Sequence, residues 1–359
     1  MLRPHRSRQA LALAGLATLT LSACGAPQRN GVFHLTAPYN FAFYETHEAA
    51  ARSFYAAHFA HFGAYEILMT PDSETDRKMA DFEARVRAYV VDPPKFEPPA
   101  DIVAPRWSRM AYETGQSMDW THMLHTQLYD ILTDDAVADK ESAGERAIAY
   151  YLSEGRSAFS TRGYGHRWME GGGEWAGAFR ERFQRVNGIL WAYHWHHAAV
   201  YEALMAPDPA ARESELDRVI RVFTDSVLVD LPTEMPLTAE VAPEFSRMFP
   251  AAAHIFDNLH MMHDVVNDIM TFGDYDVRAK AAEIARLRDL MVYEGQDTVQ
   301  APMMPMQGDH SMSPGAMRVP TQLPTGEWLP QGHPEARMAD MQELMRPLPR
   351  VSRDRGGER

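Results

Sequence analysis

Cysteine is almost missing from this chain of 359 residues, the single one being Cys24 near the N-terminus. The body that follows has no disulfide and no thiolate ligand, which excludes disulfide-stapled folds and zinc–thiolate sites. Basic charge is also short, with 35 Lys and Arg against 49 Asp and Glu and a formal net charge of −14. An acidic chain repels phosphate backbones, so nucleic acid is excluded as a partner and cations or cationic partners are favoured. Strand-like alternation of apolar and polar residues is nearly absent, and no run of about 18 apolar residues occurs in the body. An all-α fold follows, with 45% hydrophobic residues to supply its core.

What the sequence has instead is histidine, in one pattern written four times: two histidines three residues apart, then a Tyr or Asn, then a carboxylate. The copies are His58, His61, Tyr65, Glu66; His122, His125, Tyr129, Asp130; His194, His197, Tyr201, Glu202; and His260, His263, Asn267, Asp268. Steps of three and four residues put both imidazoles and the Tyr or Asn on one stripe of a helix, with the acid at its edge. The copies also pair up. Ala104–Met110 (APRWSRM) recurs as Ala242–Met248 (APEFSRM) at a displacement of 138, which carries Asp119, His122 and His125 onto Asp257, His260 and His263. Copies one and three correspond at 136, through Tyr65–Asp72 and Tyr201–Asp208. The expected architecture is an antiparallel four-helix bundle made by tandem duplication of a helical pair.

The expected organisation is a leader over 1–23, a tether over 24–40, a first repeat over 41–133, a bridge over 134–173, a second repeat over 174–271, an accessory helix within 272–295 and a Met/Pro-rich tail over 296–359. Long helices are expected over 41–69, 105–132, 174–205 and 243–270, with shorter ones over 76–89, 140–152, 212–228 and 275–293, and a further one over 335–345 in the tail. The stretch from Asp92 to Pro105, rich in proline, reads as a loop.

Arg3, Arg6 and Arg8 precede an apolar run from Leu11 to Leu21, which ends in Leu-Ser-Ala-Cys-Gly. This resembles the leader of bacterial lipoproteins. The resemblance implies cleavage before Cys24, lipidation of its thiol, and a body held to the membrane by lipid. Gly25 after the cysteine resembles the sorting pattern of outer-membrane lipoproteins, which implies a location in the cell envelope facing the periplasm. Cleavage would remove three arginines and no acids, taking the formal charge from −14 to about −17.

Neutral imidazole is the commonest side-chain metal ligand and suits copper, iron and zinc. Eight inward histidines exceed the needs of one mononuclear site, so a dinuclear or multinuclear centre is expected on His58, His61, His122, His125, His194, His197, His260 and His263. Asp119, Asp257, Glu66, Asp130, Glu202 and Asp268 are candidates as further ligands or as groups that orient the imidazoles. Tyr65, Tyr129, Tyr201 and Asn267 are expected to line the site. Asp119-x-x-His122 and Asp257-x-x-His260, with Glu66 and Glu202 as lone acids, resemble the ligand pattern of ferritin-like di-iron carboxylate bundles, although Asp replaces Glu and every helix carries extra histidines. The His-x-x-x-x-acid spacing is also similar to one helix of hemerythrin-like bundles. Nitrogen-rich ligation points to copper or iron, with zinc as a further candidate. Haem fits poorly, because histidines one turn apart on one helix crowd a macrocycle and no Cys-x-x-Cys-His is present.

Met303, Met304, Met306, His310, Met312 and Met317 in the tail resemble the Met/His-rich segments of periplasmic copper-handling proteins. That implies an auxiliary soft-ligand arm and a metal-handling protein partner. Storage or delivery of metal is the leading functional expectation. A dinuclear oxidase or oxygenase, and a haem-binding or metal-free structural lipoprotein with a hydrogen-bonded histidine core, stand as alternatives.

Overall fold

The computed structural model describes residues 41–95, 97, 99–165 and 173–295. Cys24, the leader, the methionine-rich segment and the expected helix over 335–345 lie outside the described residues. Among the described residues the chain is mostly helical and no strand is present, only an isolated bridge between Phe159 and Val292. None of these helices is long and apolar enough to cross a membrane.

In chain order the helices are α1 (Ala42–Thr46), α2 (Glu48–Leu68), α3 (Thr75–Val91), α4 (Ala100–Val103), α5 (Pro105–Met110), α6 (Tyr112–Thr133) and α7 (Lys140–Ser153). They continue as α8 (Ala178–Arg182), α9 (Gln184–Leu204), α10 (Pro209–Val222), α11 (Thr238–Val241), α12 (Pro243–Met248), α13 (Pro250–Thr271) and α14 (Val277–Met291). A π-helical turn, Phe223–Val227, extends α10. The proline-bearing loop before Pro105 thus contains one short helix, α4. The local starts have ordinary causes. Asp139, Asp208 and Asp276 each accept a backbone N–H three residues on, capping α7, α10 and α14. Pro105, Pro209, Pro243 and Pro250 occupy first-turn positions, where a missing N–H costs nothing.

Each expected long helix is broken once near its start. His47, Ala111, Phe183 and Phe249 adopt φ between −122° and −133° with ψ between 47° and 64°, which ends a short helix and begins a long one. The cause is a docking contact repeated four times. Each short helix buries one aromatic residue, Phe43, Trp107, Phe179 or Phe245, and that residue's backbone N–H donates to a carboxylate on another helix. Those carboxylates are Asp130, Glu66, Asp268 and Glu202, the acids of the four-copy pattern. Exchange is reciprocal: α2 supplies Glu66 to α5, while α6 supplies Asp130 to α1. Likewise α9 supplies Glu202 to α12, while α13 supplies Asp268 to α8. Such caps satisfy amide donors that would otherwise be orphaned at a buried helix start.

The long helices pack on one another, α2 against both α9 and α13, and α6 against the same two. Three phenols staple these contacts. Tyr65 donates to the His263 carbonyl at 3.0 Å, Tyr129 to that of His197 at 2.8 Å, and Tyr201 to that of His125 at 3.2 Å. Asn267 holds the fourth position; its shorter amide is buried and neither end finds a partner.

Candidate metal centre

All eight pattern histidines are buried, each at most 3% exposed, and they sort into three groups. The first is His58, His122 and Glu97; the second His61, His194 and His263; the third His125, His197 and His260. Within each group one donor atom per residue lies within 4.8 Å of the others. Every pattern histidine belongs to one group. In the first, His58 Nδ1 is 2.5 Å from His122 Nδ1 and 2.9 Å from Glu97 Oε1, and His122 Nδ1 is 3.2 Å from the same oxygen. In the second, the Nε2 atoms of His61 and His194 are 3.1 Å apart. Two nitrogens bound tetrahedrally to one ion at about 2.05 Å would be roughly 3.3 Å apart, so this spacing suits a shared metal.

The groups adjoin. The His194 and His260 rings stack at 3.9 Å, joining the second group to the third, and the His61 and His263 rings stack at 4.0 Å within the second. His122 stands 5.6 Å from His263 and 6.2 Å from His125 between ring centres, so the first group touches both others.

Many of these nitrogens lack a hydrogen-bond partner among the described residues. His197 and His263 have none at either ring nitrogen, and His61 Nδ1, His125 Nε2, His194 Nδ1 and His260 Nε2 are likewise unmatched. A buried polar atom left without a partner costs about 1–3 kcal/mol, so these nitrogens weigh against the fold unless something binds them.

Burial and the neighbouring imidazoles hold His61, His122, His194, His197 and His263 well below the ordinary histidine pKa; burial with His260 does the same to His125. Burial alone takes His260 down to about 3. These rings are neutral at pH 7, the form that binds metal. His58 differs. Burial pulls it down too, yet the charges of Glu97 and Asp119 reverse that and push it up to about 9.

The acids expected beside the histidines separate by role. Asp119 Oδ1 faces His58 Nε2 at 3.2 Å, the place for a group that orients a ligand. Asp257 accepts from both the backbone and the hydroxyl of Thr238 at 2.7 Å, capping α11. Glu66, Asp130, Glu202 and Asp268 cap short helices as described, and none belongs to a histidine group. Their spacing from the histidines reflects helix docking. The Tyr201 hydroxyl lies 2.9 Å from His125 Nδ1, while Tyr65 and Tyr129 reach only backbone carbonyls. Asn267 touches no described polar partner.

Two residues escape the sequence pattern. Glu97 sits between α3 and α4 in the proline-bearing stretch, where a lone acid has no periodicity to mark it. His196 lies off the histidine stripe yet is fully buried against Phe223, and burial lowers its pKa to about 3.

No family model, curated protein or solved structure matches this chain. The chemistry of the site therefore rests on its own geometry. Buried His and Glu groups here could hold metal ions.

Proposed function

We propose that this protein is a transition-metal-binding protein whose helical core holds copper or iron, with zinc as a further candidate, in a multinuclear centre of up to three ions. The observation that carries this reading is the convergence of eight buried imidazoles and Glu97 into three adjoining three-donor groups. Three neutral nitrogens, or two nitrogens and a carboxylate, suit these metals better than calcium or magnesium, which prefer all-oxygen shells.

In this reading α2, α6, α9 and α13 form one antiparallel four-helix bundle derived by duplication of a helical pair. Its support is the repetition: the buried aromatic of each short helix stands fifteen residues ahead of the first histidine in all four copies. The bound ions are held for storage or delivery by a lipoprotein anchored through Cys24, on the periplasmic side of the outer membrane, with a metal-handling protein as partner. The leader residues and Met303, Met304, Met306, His310, Met312 and Met317 are what support that part.

One observation favours oxidase chemistry as a second reading. Three donors leave coordination positions open, and the Tyr201 phenol lies against His125. X-ray absorption on the isolated protein tests the centre. The expected shell is nitrogen and oxygen at about 2.0–2.1 Å with histidine outer scattering. A shell dominated by sulfur would move the site to the methionine-rich tail and end the proposal.

A further inference from the structure

We propose that His58, Glu97 and His122 form the loading site of the centre, where hydrated divalent cations are captured and passed to the two all-histidine groups. This rests on the reading that the groups bind metal, and it assigns them unequal roles.

The asymmetry begins with exposure. The Glu97 side chain is 20% exposed, whereas His58 and His122 beside it are 2% and 3% exposed. Among the nine residues of the three groups Glu97 alone is exposed to this extent, although Oε1, the oxygen that faces the two imidazoles, is itself buried. It is also the one donor outside the long helices, standing on the segment between α3 and α4, so its carboxylate is not fixed by a helix face. A charged oxygen ligand at such a place attracts a hydrated divalent cation and replaces one of its waters, and the two imidazoles behind it then replace others.

Transfer inward has a geometric basis in His122, whose ring borders a member of each inner group, His263 and His125. An ion bound there can exchange ligands stepwise without returning to water. Among the described residues no carboxylate of the second half joins a histidine group. The 138-residue register places Met235 opposite Glu97, and Met235 is 1% exposed. An approach through the second half would therefore lack a charged first ligand.

The test follows zinc uptake by the metal-free full chain against a fluorescent zinc chelator in stopped flow, comparing wild type with Glu97→Gln, Glu97→Ala and Glu97→Asp. Wild type is expected to take up about three equivalents. The Gln and Ala variants should end near two and fill them roughly tenfold more slowly or worse, a loss typical of removing a supporting group at a metal site. Glu97→Asp, which keeps the charge, should recover most of the rate. Inner groups that fill at the wild-type rate in the Gln variant would overturn the loading role while leaving the metal centre standing. A wild-type chain that takes up no zinc, copper or iron would overturn the metal reading and this proposal together.

Discussion

At the scale of single residues, the centre depends on which tautomer and charge each imidazole carries. The Tyr201 hydroxyl engages His125 at Nδ1, while Nε2 has no partner among the described residues. Tyr201→Phe is therefore expected to loosen the orientation of His125. Metal affinity should fall by about 10–100-fold with the fold intact, measured by competition with a chelator of known strength. His58 supplies a second prediction at this scale. With its pKa pushed up to about 9, it is protonated at pH 7 in the metal-free protein, and an ion entering the first group must displace that proton. Loading of that group should release roughly one proton in weakly buffered solution at pH 7, and its affinity should rise with pH up to about 9. In Glu97→Gln the release should shrink, because the charge that raises His58 is gone.

Elements show where the sequence was readable and where it was not. The histidine stripes, the helix class and the three phenols were legible because a 3.6-residue period marks the face a helix buries. The carboxylates of the same pattern are ambiguous by period, because an acid five residues past an inward histidine sits at the edge of the stripe. From there it can reach a metal or the start of a neighbouring helix, and period alone does not separate the two. The fixed distance from each buried aromatic to its first histidine was a signal for the docking helices. The breaks at Ala111 and Phe183 lacked one, since both residues are compatible with continuous helix, whereas Pro250 marked the break at Phe249. Glu97 was invisible because its role arises from tertiary contact. Removing a docking cap should cost stability without touching metal: Asp130→Ala orphans the amides of Phe41 and Phe43 and should cost about 1–3 kcal/mol in urea unfolding of the metal-free protein. Metal stoichiometry should stay unchanged. The paired histidines behave otherwise. His122 and His125 belong to the first and third groups, and His260 and His263 to the third and second. Each double alanine substitution should therefore reduce binding from about three ions to about one, measured by elemental analysis. One pair abolishing binding while the other left it intact would break the model of adjoining groups.

For the whole molecule, the buried imidazoles dominate the pH dependence of the metal-free fold. His61, His122, His125, His194, His196, His197, His260 and His263 all have pKa values lowered by burial, so the unfolded chain binds protons below about 6.5 that the folded chain refuses. Asp130, Asp257 and Asp264, raised to about 7 by burial, and Asp119, Glu202 and Asp268, also raised by burial, act in the opposite direction because the folded state holds their protons, but they are fewer. Stability of the metal-free protein should fall as pH drops from about 6.5 to 5, and bound metal should offset that loss while it remains in place. Burying this many nitrogens without partners is costly unless something takes up their lone pairs and N–H groups. Metal binding is tested by elemental analysis and an absorption spectrum on one sample of the full chain, purified without an affinity tag that binds metal. The account predicts copper, iron or zinc bound at up to about three equivalents in the protein as isolated or after anaerobic reconstitution. A folded protein that retains no metal after reconstitution with Cu(I), Fe(II) and Zn(II) would contradict it.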